Sequence, residues 1–366
     1  LRSIEQELAE KGTGSTFSAI SGSVLRDQII TLAPYNEQLR IVEAIETQFT
    51  RIDEGVKLLQ RLRDNLKRYK AAVLKAACEG RLVPQDPDDE PASELLKRIL
   101  HERRAQWQAE GRKGKYVEPQ PPDTTDLPDL PDGWVWATTN QLASTDKYSL
   151  AIGPFGSNLM VKDYRDEGIP LVFVKEIRSG IFERKGLPRI TLEKAEELRS
   201  HHVHPGDLVI TKMGEPPGDV AIFPDHIPLA VATSDCIKWT LSPHLRNRRY
   251  FMFAMRFPVV KSQILQITRG VAQLKMSLER FKGLNIPVPP IEEQERIVTY
   301  IDEIFSIADE VNLQITSSLQ RAEHLRQSIL KQAFEGRLVP QDPNDEPASV
   351  LLRHIQASRK QGRGKR

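Results

Sequence analysis

The sequence Glu79-Gly-Arg-Leu-Val-Pro-Gln-Asp-Pro87 recurs unchanged as Glu335-Gly-Arg-Leu-Val-Pro-Gln-Asp-Pro343. The offset of 256 residues holds without a gap between residues 34–99 and 290–355, and 30 of the 66 aligned positions are identical. Copies this far apart do not form a solenoid, whose units of about 20–50 residues stack on their neighbours. The repeat therefore predicts two framework segments that flank a different, central domain.

Apolar residues in both copies recur at alternating spacings of four and three, as in a coiled coil. A helix of about 40 residues would be about 60 Å long. A small domain cannot cover that length, so pairing between the two helices is favoured over packing on a core of their own. The predicted seam consists of Ile41, Ile45, Ile52, Leu59, Leu62 and Leu66 in the first copy and Ile297, Ile301, Ile304, Val311, Ile315 and Leu325 in the second.

The two copies also share predicted helix boundaries. Gly80 and Gly336 stand where a C-terminal glycine ends a helix, and a Pro-containing segment follows each of them. The motif Asp-Glu-Pro-Ala-Ser then begins at Asp89 and at Asp345, with its proline suited to a first helical turn. Each long helix is therefore expected to be followed by a shorter one.

The segment between the copies has a different composition. Residues 111–132 hold five prolines interleaved with acidic residues, which predicts an extended linker. After it, β-branched and aromatic runs alternate with turn residues, and a helical pattern over residues 250–267 follows them. The predicted strands lie in residues 169–174, 207–211, 220–223 and 236–241. The sequence thus predicts an α+β protein, with a mixed, β-rich globular domain and two long helices.

The formal net charge of +2 over 366 residues conceals an uneven distribution. Between Gly133 and Pro290 there are 21 basic and 15 acidic residues, so this part carries about +6 and the remainder about −4. A basic domain favours a nucleic-acid partner. Two cysteines are too few for a disulfide framework and suit a reducing cytosol. No apolar run reaches the roughly 18 residues of a membrane-spanning helix.

No motif in the sequence indicates catalysis or metal binding. Gly214-Glu-Pro-Pro-Gly218 lacks the Lys-Ser/Thr of a phosphate-binding loop and is better interpreted as a hairpin turn. His201, His202 and His204 lack further ligands at a suitable spacing, which favours a solvated turn before a strand. Cys236 lies in a predicted strand and is expected to be a buried apolar residue.

Polar and basic residues in predicted turns of the central domain are the candidates for contact with DNA. Arg, Lys, Asn and Gln are the residue types that bind phosphates and base edges. For any one of them, ordinary surface charge is the alternative interpretation. The candidates are Ser157, Asn158, Lys162, Arg165, Lys175, Arg178, Lys212, Arg269, Gln273 and Lys275.

Two motifs, present in both copies, carry a resemblance to a known family. Glu-Gln-x-Arg-Ile-Val precedes each predicted long helix, and Glu-Gly-Arg-Leu-Val-Pro-Gln follows it. Together they resemble the conserved regions of type I restriction–modification specificity subunits. The intervening domain also resembles that family, through Leu130-Pro-Asp-Gly-Trp134, Gly153-Pro-Phe-Gly-Ser157, Pro205-Gly-Asp-Leu-Val-Ile210 and Gly270-Val-Ala-Gln-Leu-Lys275. The resemblance covers essentially the whole chain.

The resemblance implies two target-recognition domains, each followed by a conserved helix, with the two helices paired in antiparallel. Most of the first recognition domain would then lie outside this sequence, so that the sequence is either part of a longer subunit or a natural partial subunit. The implied domains are a remnant of the first recognition domain (1–33), a central conserved region (34–110), the linker (111–132), a target-recognition domain (133–289), a C-terminal conserved region (290–356) and a basic tail (357–366).

In functional terms, the resemblance implies a non-catalytic, cytoplasmic subunit that recognises a bipartite sequence in double-stranded DNA. It would direct separate modification (methyltransferase) and restriction (endonuclease) subunits, which perform DNA methylation and cleavage. S-adenosylmethionine, ATP and Mg²⁺ would bind those partners, and no cofactor or metal is expected on this chain. The outer face of the coil and the segments after Gly80 and Gly336 are candidates for docking modification subunits. A coiled-coil scaffold whose central domain binds another protein is the alternative.

Overall fold

A computed structural model of the chain describes residues 22–26, 29–111, 114–268 and 275–363. The chain forms two compact units, Leu1–Arg68 with Ile307–Arg366, and Tyr69–Ser306. The boundaries between the units fall inside the two long helices. The helices are α1 Gly22–Arg26, α2 Tyr35–Cys78, α3 Ala92–Ala109, α4 Thr139–Leu142, α5 Val174–Ser179, α6 Leu192–Glu197, α7 Arg248–Ala254, α8 Pro258–Ile267, α9 Leu278–Lys282, α10 Ile291–Phe334 and α11 Ala348–Arg363.

The strands belong to the unit Tyr69–Ser306 and form three sheets. Their orders are β1-β10, β2-β9-β6-β7 and β4-β3-β8-β5, with β3 and β8 parallel. The strands are β1 Val135–Thr138, β2 Leu150–Ile152, β3 Ile169–Val172, β4 Arg189–Ile190, β5 His202–Val203, β6 Leu208–Thr211, β7 Val220–Ile222, β8 Ala230–Ala232, β9 Cys236–Trp239 and β10 Asn285–Val288. The predicted α+β class is confirmed.

Strand β6 explains why the central domain shows runs of apolar residues and little alternation. Leu208 and Ile210 point into one hydrophobic core, while Val209 points into a second core on the opposite face of the sheet. Successive side chains of a strand point to opposite faces, so a sheet covered on both sides needs apolar residues throughout. The first core also contains Val73 of α2 and Ile297 of α10, which anchors these helix ends to the β-rich domain.

The helical pattern over residues 250–267 forms two helices rather than one. Helix α7 ends at Ala254, and α8 begins at Pro258. Proline restricts the preceding residue to extended backbone, and Phe257 accordingly has a ψ of 142°. Helix periodicity alone does not register this break, because the apolar spacing continues across it.

The two long helices, α2 and α10, each contain 44 residues and end alike. Gly80 and Gly336 have φ angles of +63° and +67°, in the left-handed region that favours glycine. Beyond each glycine the chain bonds back to its helix, from Arg81 N to Ala76 O at 2.9 Å and from Arg337 N to Gln332 O at 2.8 Å. The predicted helix ends are confirmed.

Within the unit Leu1–Arg68 with Ile307–Arg366, segments of α2 and α10 run antiparallel. Thr31, just before α2, donates a hydrogen bond to the carbonyl oxygen of Phe334, the last residue of α10, at 2.9 Å. Further along α2, Asp53 forms an ion pair with Arg326. The Arg326 guanidinium also lies 5.4 Å from the centroid of the Phe49 ring. Residues later in α2 therefore contact residues earlier in α10, as expected for antiparallel helices.

Ten of the twelve predicted seam residues are buried or half-buried, and two are exposed. Leu62 is 46% exposed and Leu325 is 52% exposed, so the prediction was wrong for these two. The residues that follow them, Arg63 and Arg326, are half-buried in their place. Arg326 is held in this position by its ion pair with Asp53 and by its contact with the Phe49 ring.

No helix within the described ranges is long and apolar enough to cross a membrane. Both cysteines are free and buried. Burial raises the pKa of the Cys78 thiol to about 11 and that of the Cys236 thiol to about 12. The expectation that Cys236 behaves as a buried apolar residue is confirmed.

Candidate nucleic-acid interface

Several of the candidate residues lie at one edge of the sheet that contains β3 and β8. Because these strands are parallel, the segments that follow them emerge at the same edge. Phe173 and α5 follow β3, and a turn at residues 233–235 follows β8. Thr233 joins the two segments through hydrogen bonds from its N and Oγ1 to Val172 O, at 3.0 and 2.8 Å. Lys175 and Arg178 of α5 therefore lie near the 233–235 turn.

The turn at residues 153–158 packs on the same edge and carries Ser157 and Asn158. Gly153 lies so close to the turn after β8 that an added Cβ would come within 2.1 Å of the carbonyl oxygen of Thr233. Gly156 adopts a φ of +59°, which also favours glycine. The two glycines thus define the position and the shape of the turn. Ser157 and Asn158 are exposed on it, in a single turn of 3₁₀ helix.

Lys212 follows β6 and connects two of these turns. Its Nζ donates to Ser234 O at 3.0 Å and lies 4.5 Å from the centroid of the Phe155 ring. The residue is only 9% exposed. Burial lowers the pKa of its ammonium group, against the opposing effect of Asp235. The Phe155 ring and the 233–235 turn cover Lys212. Its contact with DNA stays a prediction.

Lys275 joins the cluster through backbone contacts with the segment after β6. Met213 and Lys275 form an isolated antiparallel bridge, and Met276 N donates to Lys212 O at 3.0 Å. Lys275 is exposed, and its charge also lowers the pKa of Lys212. Arg269 and Gln273, predicted in the same segment, lie outside the described residues.

Two predicted arginines are exposed but bond within the protein. Arg178 donates from Nε to Asp219 Oδ2 at 2.8 Å. Arg165 donates from Nη1 to the carbonyl oxygens of Lys162 and Tyr164, at 2.8 and 2.7 Å. These bonds fix where both guanidinium groups lie. The charge of Arg178 is paired with that of Asp219, whereas carbonyl oxygens hold Arg165.

Lys162 and Lys175 are exposed on neighbouring segments. Tyr164 packs edge-on against Phe173 with 6.3 Å between ring centroids, which places residues 159–165 beside the start of α5. The structure thus brings Ser157, Asn158 and Lys275 onto segments that adjoin α5, which carries Lys175 and Arg178, with Lys162 and Arg165 on the next segment. The prediction selected charged and amide residues and therefore missed Phe155, which is 56% exposed. An aromatic residue between two turn glycines was the available signal.

The predicted hairpin turn is confirmed. Residues 214–218 lie in the loop between the antiparallel strands β6 and β7. Thr211 Oγ1 accepts hydrogen bonds from the backbone N–H groups of Gly218 and Asp219, at 3.0 and 2.9 Å, across the base of the loop.

The prediction of a solvated turn at the histidines was wrong for His202. This residue is buried in β5, where its Nε2 lies 2.7 Å from Ala195 O. His201 is half-buried, and burial lowers its pKa. The reason is that β5 pairs with β8, so the side chains of this short strand face the domain interior. The described residues contain no group of three or more His, Cys, Asp or Glu that could hold a metal ion.

Comparison with known proteins identifies relatives of the whole arrangement. Residues 161–321 match the family model described as the type I restriction modification DNA specificity domain. The type I restriction enzyme EcoAI specificity subunit of Escherichia coli is 31% identical over 343 residues, which cover 79% of this chain and 55% of that protein. The EcoBI specificity subunit of Escherichia coli is 27% identical over 361 residues, 96% of this chain and 69% of that protein. The chain thus spans little more than half the length of the first of these relatives.

Two solved structures share the fold. The HsdS subunit from Thermoanaerobacter tengcongensis aligns with a TM-score of 0.50 and 18% identity, over 92% of this chain and 68% of that one. A chain from a structural study of complex assembly and conformational transition of the type I R-M system aligns with a TM-score of 0.58 and 19% identity, with the same coverage.

Proposed function

Because the chain belongs to the family of type I restriction–modification specificity subunits, we propose that it reads the sequence of double-stranded DNA for such a complex. One observation carries this proposal: Ser157, Asn158, Lys175 and Lys275 are exposed on segments that meet at a single edge of the β-rich domain. Ammonium groups bind phosphates and fix the register of a protein on DNA, while hydroxyl and carboxamide groups bind base edges in the grooves.

The way these turns are held also supports a reading role. The Gly153 backbone packs directly on the Thr233 backbone, and Lys212 bonds to Ser234 beneath Phe155. Both contacts connect the turn at residues 153–158, which we call the reading turn, to the end of β8. Reading bases requires side chains in a fixed place, since each good contact distinguishes the correct base by about 1–3 kcal/mol.

A difference in burial between equivalent residues of the two copies supports a bipartite target. In the unit Tyr69–Ser306, Ile286 of β10 is fully buried, and β10 pairs with β1. Its equivalent in the first copy, Ile30, is 68% exposed. Likewise, Ile99 of α3 is 2% exposed in the core of the β-rich domain, whereas its equivalent in α11, Ile355, is 41% exposed. A further recognition domain would cover the surface around Ile30 and Ile355, as the domain at residues 133–289 covers Ile286 and Ile99. It would read a second half-site.

The remaining parts of the proposal concern partners. Catalysis would belong to separate methyltransferase and restriction subunits in the cytoplasm, which would hold S-adenosylmethionine, ATP and Mg²⁺. Exposed apolar residues on the long helices support docking of modification subunits there. They include Leu58, at 67% exposed, and Leu62 on α2, and Leu313, at 68% exposed, on α10. Leu58 and Leu62 lie one turn apart on the same face of α2, and a contiguous exposed apolar patch of this kind can be covered by another protein.

Selection from a random duplex library tests the DNA-reading function. The full chain, assembled with its methyltransferase subunits, is expected to enrich duplexes that share a defined sequence. Binding to a selected duplex should also weaken steeply with salt, because each phosphate neutralised contributes about −0.9 to the slope of log K against log salt. No enrichment, or binding that does not depend on salt, would instead favour the scaffold alternative.

A further inference from the structure

Phe155 is the largest apolar side chain presented by the reading turn. It lies between the buried Pro154 and Gly156, and its side chain is 56% exposed. Leaving an aromatic ring in water forgoes the free energy that burial would provide. The Gly153 contact with Thr233 nevertheless holds the turn where the ring stays outside the core.

One face of this ring is supported by a buried cation. Lys212 Nζ lies 4.5 Å from the ring centroid and donates to Ser234 O at 3.0 Å. Withdrawing an ammonium group from water is unfavourable, and here the carbonyl oxygen and the π-face of the ring offset part of that cost. The contact fixes the ring relative to β8 and leaves its edge and its second face outward.

The neighbours of Phe155 supply complementary chemistry. Ser157 and Asn158 are exposed within three residues of it. In the major groove an Asn carboxamide pairs with the N6 and N7 of adenine, and an apolar side chain contacts the 5-methyl group of thymine. A ring and a carboxamide on one rigid turn are therefore suited to an A·T-containing step.

We infer that Phe155 contacts the 5-methyl group of a thymine in the half-site read by this domain, and that Lys212 is the residue that positions it. The inference rests on the proposed DNA-reading function. Insertion of the ring between base steps is the competing geometry, but a wedge of that kind stacks on bases with both faces. Lys212 occupies one face of Phe155, which favours a contact through the ring edge and its remaining face.

Replacement of thymine by deoxyuridine tests the contact, since it removes only the methyl group. Each thymine of a duplex obtained by selection is replaced in turn, and the affinity of the full chain with its methyltransferase subunits is measured. At one position in the half-site the loss is expected to be about fourfold, the value of one buried methyl group. Phe155→Ala should bind the thymine duplex and its deoxyuridine counterpart equally. Leu192→Ala, which truncates another exposed apolar residue (58% exposed) on α6, should keep the difference.

Two further variants separate positioning from phosphate binding. Lys212→Met keeps the aliphatic stem and removes the charge, so it should reduce the preference for thymine while leaving the salt slope unchanged. If Lys212 bound a phosphate, the slope would fall by about 0.9. Phe155→Leu keeps an apolar side chain and should retain part of the preference, which tests the contact even if the Lys212 variant fails to fold.

Three results would overturn the inference: a selected half-site without thymine, wild-type binding that is indifferent to every deoxyuridine, or a preference that survives Phe155→Ala. Indifference of the wild type to the methyl group together with a large loss for Phe155→Ala would identify the wedge geometry instead. Failure of the wild type to select any duplex would contradict the DNA-reading function itself, and with it this inference.

Discussion

Arg296 donates from Nη2 to Asp89 Oδ2 at 2.6 Å, and Arg40 makes the same bond to Asp345 at the same distance. Arg40 and Arg296 are equivalent in the repeat, and so are Asp89 and Asp345. Each copy of the repeat therefore supplies the arginine of one ion pair and the aspartate of the other. The bond joins the start of a long helix to the turn before the other copy's short helix.

These reciprocal ion pairs predict that the stability of the protein depends on pH. The hydrogen bond from Arg40 lowers the pKa of Asp345. A carboxyl group whose pKa is lowered by folding stabilises the protein above its unfolded pKa of about 3.9, and this stabilisation is lost as the pH falls through the folded value. Asp345→Asn should therefore lower the Tm at pH 7, and its difference from the wild type should shrink in acid. Glu346→Gln, at an exposed neighbour, serves as the control and should show neither effect.

Glycine substitutions test how the reading turn is held. An added Cβ at Gly153 would meet the Thr233 backbone at 2.1 Å, so Gly153→Ala forces the turn away from β8. We expect a loss of about 1–3 kcal/mol in the free energy of unfolding, together with weaker binding to the selected duplex. Gly55→Ala is the matched substitution, because a Cβ at this position in α2 meets nothing within 4 Å. It should stabilise the chain by about 0.5–1 kcal/mol. Equal effects of the two in thermal and chemical denaturation would contradict this account of the turn.

Lengthening both long helices tests whether they set the distance between half-sites. Gln60 and Thr316 are equivalent in the repeat. A heptad inserted after each residue keeps the seam in register and adds about 10 Å to each helix. Since base pairs are about 3.4 Å apart, the spacer recovered by duplex selection should grow by about three base pairs. A spacer that stayed the same would show that the helices do not set it.

A single exposed lysine tests the phosphate contacts. Lys175 is exposed at the first turn of α5, beside the reading turn. Lys175→Met should weaken binding to all duplexes by a similar factor and reduce the salt slope by about 0.9. Lys97→Met removes a lysine that is exposed on α3 and should leave the slope unchanged. If the two variants had equal slopes, the phosphate contact would have to be sought elsewhere on the domain.

Local signals in the sequence were sufficient for the framework but not for the details of the site. Gly80 and Gly336 mark helix ends through their own backbone preferences, so their role is visible without tertiary structure. Leu62 and Leu325 were misplaced because the heptad template counts only apolar residues, whereas contacts with Asp53 and Phe49 hold Arg326 in the seam. The burial of Lys212 could not be predicted because it depends on Phe155, 57 positions earlier in the chain. A contact between such distant residues has no local signature in either segment.

Competition between duplexes tests the central claim most directly. The full chain with its methyltransferase subunits is bound to a selected duplex, and a duplex of the same composition in scrambled order competes at increasing salt. The DNA-reading function predicts that the affinity for both duplexes falls with salt while the preference for the selected sequence persists. Phosphate contacts depend on salt, whereas the contacts of the reading turn with bases do not change. A preference that vanished when Ser157, Asn158 and Phe155 were intact, or that remained when all three were replaced by alanine, would contradict it.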